Sequence, residues 1–333
     1  MNRFYIFDHW AMPTPYNHRY FVEKLAQGFA GHGLEVKVVR SIEELSGPGY
    51  VMISNHNFLY TLGQHRLKRT FPGLALLGAN RADPFKTLDK VGATLQRGLL
   101  QKLLKHCASQ SLTVFAWFWF EHAELLANSG ANVIFVGEKF WTFPETNYHR
   151  RWAEFCRIHE NSYMIQFAAA LSPSQVGENC VNDRYKVSFV GNRKYKPEWY
   201  SAFMGREDCR VIPTPPFISE AERVDIYRNS QVNLGLHSPV NISNGVVGER
   251  IYEALAYGCV CVTDNSHAVH VTDGCAQLVT ERDEMLELVD RINRDAELRA
   301  TLRRKGLSYA QAHGTYYSQA TNMMKLSSQL FGD

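Results

Sequence analysis

The stretch 244–265, NGVVGERIYEALAYGCVCVTDN, constrains this chain more than any other. Its periodicity predicts a helix over 248–257. Glu249, Arg250, Glu253 and Tyr257 fall on one side of it; Ile251, Ala254 and Leu255 face the other way, toward a core. Gly258 stops the helix, and Cys259–Asp264 is an apolar, β-branched strand. A helix start that carries Glu and Arg after a Gly-containing loop can hold a diphosphate and a ribose. The guanidinium supplies fixed charge, the first turn supplies N–H donors, and a carboxylate accepts from sugar hydroxyls.

The rest of the pattern is a strand–helix alternation. Strands are expected at 3–9, 34–39 and 50–55, with a helix at 17–32. A helix is expected at 86–106. Residues 112–120 (LTVFAWFWF) suit a strand or a buried helix, and 132–141 reads as strand into loop. The second half repeats the alternation: strands at 186–192, within 208–217, at 232–237, 259–264 and 276–280, a Ser-capped helix at 219–230, and two capped helices over 281–313. The segment 238–248 reads as a loop. This order belongs to two parallel sheets with helices on their faces.

Composition excludes several classes. Among 333 residues the net charge is +3, too small to imply a nucleic-acid partner. No apolar run is long enough to span a bilayer, and the first residues read as a strand rather than a signal peptide. The seven cysteines are scattered and without a CxxC pair, which suits a reducing, cytoplasmic compartment. There is no Walker loop, and the absence of GxGxxG argues against a dehydrogenase.

The helix–Gly–strand segment resembles the donor-binding segment of the GT-B glycosyltransferases, in particular the "glycosyl transferases group 1" type. That signature is an Arg, then Glu-Ala-hydrophobic-Ala-x-Gly, then a strand. Here it is Arg250, Glu253–Gly258 and Val260–Thr263. The resemblance covers about 185–320, including the closing helices. It implies an α/β, GT-B fold: two Rossmann-like domains facing an interdomain cleft. It implies a nucleotide-sugar donor, with Glu253 on the nucleotide ribose, and a glycan, lipid-linked or other hydroxyl acceptor. Gly245 stands where many members carry an earlier, sugar-contacting Glu, so retention or inversion is left open. The expected domains are 1–178 for the acceptor, 179–315 for the donor, and a helix over 316–333 packing back on the first.

Further candidates follow from position. Gly191, Arg193 and Lys194 end the first strand of the second half, where open sheets bind ligands, although a basic surface turn has the same composition. His237 and Ser238 end the next strand but one. With Gly248, Glu249, Arg250 and Glu253 they make up the expected donor site. Asp8, His9 and His18 flank the first loop and are the candidates for the base that takes the acceptor proton; Asn55, His56, Asn57, Glu121 and His122 are weaker ones. Arg250 is also expected to act in catalysis. No DxD stands at a strand end, so neither a metal nor a cofactor is expected. Lys90, Arg97 and Lys105 make one side of helix 86–106 basic, which suits docking on the inner face of an anionic membrane or simply a solvated surface. His149, Arg150 and Arg151, near Trp141 and Trp152, suit an anionic acceptor or a plain surface. A fucosyltransferase-like enzyme, a GT-B-fold epimerase and a non-catalytic sugar-nucleotide-binding module remain alternatives.

Overall fold

The computed structural model describes residues 2–7, 16–54, 84–117, 122–138, 149, 153, 156, 161–214 and 218–332. The chain divides into two compact units. One comprises Met1–Gly137, Arg150–Ile165 and Thr321–Asp333; the other comprises Glu138–His149 and Gln166–Ala320.

The first unit is built on β1 (Arg3–Phe7), α1 (Tyr16–Gly31), β2 (Glu35–Val39), β3 (Gly49–Ser54), α2 (Pro84–Ser109), β4 (Leu112–Trp117), α3 (Ala123–Ala127), β5 (Asn132–Glu138) and β6 (Ser162–Ile165). The sheet order is β2-β1-β3-β4-β5-β6. β1 pairs in parallel with β2 and β3, and β4 pairs in parallel with β3 and β5. The ambiguous run at 112–120 resolves as strand over Leu112–Trp117. All six residues of β4 are buried, because a central parallel strand is covered on both faces and shows no alternation. Phe29 of α1 stacks on Phe4 at 3.9 Å. Leu100, Leu103, Leu104 and Cys107 give α2 its buried stripe.

The second unit runs β7 (Tyr185–Asn192), α4 (Pro197–Tyr200), β8 (Cys209–Thr214), α5 (Glu220–Arg228), β9 (Ser230–Gly235), α6 (Pro239–Ser243), α7 (Glu249–Ala256), β10 (Val260–Thr263), α8 (Ser266–Val271), β11 (Gln277–Leu278), α9 (Arg282–Arg294) and α10 (Ala296–Ala312). Its sheet order is β11-β10-β9-β7-β8, parallel at every pair. One core lies around Ile251, Tyr252 and Leu255 of α7. Another lies around Met285, Val289 and Ile292 of α9. Helices thus cover both faces, as a doubly wound sheet requires.

Ser219 caps α5 by accepting from Glu222 N at 3.1 Å, as the sequence pattern predicts. Gly258, with φ +76°, ends α7, and Cys259 N reaches Ala254 O at 2.8 Å. The expected loop at 238–248 contains α6, capped by Ser238, whose Oγ accepts from Asn241 N. Pro at its first turn costs no hydrogen bond, so this five-residue segment winds up where a flexible loop was expected.

The last helix, α11 (Tyr316–Phe331), begins in the second unit and ends in the first. Thr315 Oγ1 accepts from Ser318 N at its start. Near its end Ser327 Oγ donates to Thr113 Oγ1 of β4 at 3.1 Å, both residues fully buried. Among the described residues no helix is long and apolar enough to cross a membrane.

Candidate functional site

In the second sheet the chain order reverses between β7 and β9. Ligands of open α/β sheets bind outside the carboxyl ends of the strands at such a switch point. Gly191 and Asn192 end β7; Leu236 and His237 follow β9. Arg250 comes in over this point from the first turn of α7. Its Nη1 donates to Leu236 O at 3.3 Å, and a Cβ built on Gly191 would stand 2.5 Å from that same Nη1. The missing side chain of Gly191 is therefore what admits the guanidinium.

The start of α7 is held in place by a chain of polar contacts. Gly248, its N-cap residue, donates its N–H to His237 Nε2 at 3.3 Å. That nitrogen must offer a lone pair, so the ring carries its proton on Nδ1, which lies 3.3 Å from Asp264 Oδ1. His237 N donates to the same oxygen at 2.9 Å. Lys196 Nζ lies 3.0 Å from Asp264 Oδ2 and sits over the Trp199 ring at 3.9 Å. Burial pushes the His237 pKa down, and Arg250 adds to that against the pull of Asp264. Burial alone would raise the pKa of Asp264, but its bonds to His237 and Lys196 outweigh it, so the carboxyl is held below its usual range. A neutral imidazole and an ionised carboxylate follow.

One turn along α7, Glu253 Oε1 lies 2.8 Å from Arg223 Nη2 of α5. The polar side expected of α7 is thus not an open face: Glu253 is only 5% exposed and Tyr257 6%. Here α5 covers it, and an arginine takes up the charge that burial would otherwise penalise.

The structure brings Gly191, His237, Gly248 and Arg250 together. Glu249 lies half-buried in the first turn of α7, and Ser238 serves as the α6 cap. Arg193 and Lys194 are exposed on the turn after β7. The cation of that turn which reaches inward is Lys196, set by a left-handed backbone with φ 46°. Lys196, Asp264 and Arg223 are absent from the sequence-level candidates. Asp264 had a signal, since it directly follows the apolar strand at its carboxyl end. Arg223 had none, because its contact with Glu253 is purely tertiary. Asp8, His9, Asn55, His56, Asn57, Glu121, Arg150, Arg151, Trp141 and Trp152 lie outside the described residues. His18 lies in α1, and His122 stands at the N-cap position of α3 without a side-chain cap bond; the side chain of His18 is likewise outside them. Among the described residues no group of three or more His, Cys, Asp or Glu is disposed to hold a metal ion.

Two parallel-sheet units, with a guanidinium and a helix start at the switch point of the second, have the GT-B architecture. Residues 178–325 match the family described as glycosyl transferase-like. The fold is similar to that of α,α-trehalose 6-phosphate synthase from Burkholderia multivorans, with TM-score 0.53 at 10% identity, covering 100% of this chain and 97% of that one. A second trehalose-6-phosphate synthase gives TM-score 0.52 at 11% identity, covering 98% and 99%. The N-terminal domain of Candida albicans trehalose-6-phosphate phosphatase gives 0.51 at 7% identity, covering 98% and 96%. No curated protein sequence matches. These structures share the fold alone, under two different enzyme names, so function has to be argued from the site.

Proposed function

We propose that this glycosyltransferase moves a sugar from a nucleotide-sugar to a hydroxyl acceptor without a metal ion. The supporting observation is the placement of Arg250 at the switch point beside Gly191 and the α7 N-terminus. When the bond between the anomeric carbon and the diphosphate oxygen breaks, both electrons leave with the diphosphate. Arg250, the N–H groups of the first turn of α7 and the ammonium of Lys196 offset that growing charge, the task a divalent cation performs elsewhere. Glu253, oriented by Arg223, accepts from the ribose hydroxyls. The acceptor hydroxyl bonds to the anomeric carbon and gives up its proton to a base, for which Asp8, His9 and His18 are the candidates.

The seven cysteines are free thiols, in keeping with a reducing cytoplasmic compartment. Arg97, Lys102 and Lys105 of α2 are exposed, which leaves a basic surface for an anionic membrane face carrying a lipid-linked acceptor.

A thermal-shift series with nucleoside diphosphates and their sugar conjugates tests this reading, because a ligand that binds only the folded state raises Tm. A conjugate should raise Tm equally with and without EDTA, and Arg250→Ala should shrink the shift. No response to any nucleotide would overturn the donor site. A response that needs Mg²⁺ or Mn²⁺ would overturn metal independence.

A further inference from the structure

A polar cavity lies at the opposite end of the same sheet, where the strands begin. Its volume is about 410 Å³, and its lining includes Asn182, Gln231, Gly258, Arg299, Arg303 and Arg304. Asn182 precedes β7, Gln231 is the second residue of β9 and Gly258 precedes β10, so the cavity is separate from the carboxyl-end site. Three arginines line it and no carboxylate does, among the described residues.

Where their hydrogen bonds are recorded, these arginines serve neutral acceptors. Arg299 Nη1 donates to Ile292 O and Asn293 O, Arg303 Nη2 to Cys180 O, and Arg304 Nη2 to Thr301 Oγ1. Each guanidinium has five N–H donors, so capacity remains on all three. Two residues of the lining carry buried polar atoms of the opposite need. Asn182 is 6% exposed, and its Nδ2 is shared among Tyr227 O, Ser230 O and Tyr257 O. This fixes the amide orientation and leaves Oδ1 as a buried acceptor with no partner; Gln231 Oε1 is another. Native structures rarely leave such atoms unsatisfied.

We propose that this cavity binds a small phosphate ester of a polyol. The phosphate meets the three guanidinium groups, whose planar forks suit its oxygens. Neither Asn182 Oδ1 nor Gln231 Oε1 is open to water in this arrangement; the hydroxyls reach them as the lining side chains turn toward the phosphate, which an anion without donors could not exploit. The volume is in the range of small-ligand pockets. Helix α7 links the two ends of the sheet: its start carries Arg250, and Asn182 holds the carbonyl of Tyr257 just past its end.

The test uses the full chain, with glucose 6-phosphate, glucose and inorganic phosphate as calorimetric probes at constant ionic strength. Glucose 6-phosphate should bind at least about tenfold more tightly than either part alone, the gain expected when one charge-assisted contact set and one hydroxyl set act together. Its binding should persist in Arg250→Ala, which disables only the other end. It should weaken by about tenfold or more in Arg304→Glu, since reversing an exposed charge there opposes the phosphate. Gln231→Leu removes one acceptor without changing charge and should narrow the margin over inorganic phosphate. Equal binding of phosphate and glucose 6-phosphate would reduce the site to an adventitious anion contact and overturn the proposal. Loss of binding in Arg250→Ala, with Arg304→Glu unaffected, would place the ligand at the other end and also overturn it. Neither result depends on whether the protein transfers sugar.

Discussion

Gly191 and Arg250 are matched by space: where glycine leaves out a side chain, the guanidinium stands, and an alanine Cβ would lie 2.5 Å from Nη1. It would also lie 2.7 Å from Cζ of the fully buried Phe189. Gly191→Ala should therefore displace Arg250 and crowd the core together. A stability loss of about 1–3 kcal/mol is expected from overpacking, with sugar-nucleotide affinity falling as well. Thermal melts with and without ligand measure both; an unchanged ligand response would mean that Arg250 has no fixed place.

Arg250→Ala should lower kcat by about 10²-fold or more, the range for removing one preorganised donor. Among the described residues its hydrogen bond is to Leu236 O, so Tm should move little. Arg250→Lys should recover only part of the rate, because an ammonium lacks the planar fork. Full kcat in Arg250→Ala would remove the main support for the transfer mechanism.

Glu253→Gln should weaken nucleotide-sugar binding, as the loss of a charge-assisted acceptor implies. It should also destabilise the fold by about 1–3 kcal/mol, because Arg223 loses a mostly buried partner. The two costs separate in a double-mutant cycle. Adding Arg223→Met to Glu253→Gln should restore part of the stability but none of the affinity. Restored affinity would show that Glu253 serves only the ion pair.

Lowering the pH should loosen the start of α7. The His237 pKa is depressed from its ordinary value of 6.5, so the unfolded chain takes up the proton first. Its contribution is complete above about 6.5 and is lost as the pH falls through the depressed native value. Protonation places a hydrogen on Nε2, where Gly248 N–H now donates. The groups facing this ring are Asp264, which pulls the pKa up, and Arg250, which pushes it down; Lys196 acts through Asp264. Asp264 adds a separate loss of the same sign, at pH values below its ordinary 3.8. Between pH 7.5 and 5.5 the melting temperature of His237→Gln should fall less steeply than that of the parent; equal slopes would discount the latch.

Much of this arrangement was legible because periodicity and punctuation agree. The Ser219 cap, the Gly258 stop and the two closing helices each carry a local signal, and the structure keeps them. The strand at 112–117 was ambiguous because burial on both faces erases alternation. The helix α8 has a cap signal in Asn265, whose Oδ1 accepts from His267 N, but it lies in a short segment with little periodicity to confirm it. At the candidate site, Arg250 and Glu253 stand out by motif. Lys196 and Arg223 are brought there by chain reversals that no local pattern encodes, while Asp264 is marked only by its place at the carboxyl end of an apolar strand. Lys196 in particular is one cation among several in its turn, distinguished only by backbone handedness.

The path of α11 bears on the order in which the protein can be completed as it leaves the ribosome. Thr113 lies in a strand made early, yet the buried hydroxyl it bonds, Ser327, is made almost last. Every other segment of that unit precedes residue 166. The unit begun first is therefore finished last. Until the closing helix emerges, its sheet waits with a buried polar group uncovered, while the second unit already has nearly all its parts. A fragment stopped near residue 165 would hold the nascent first sheet but lack its final strut, and chaperone dependence of the newly made chain should end only when Ser327 has been delivered.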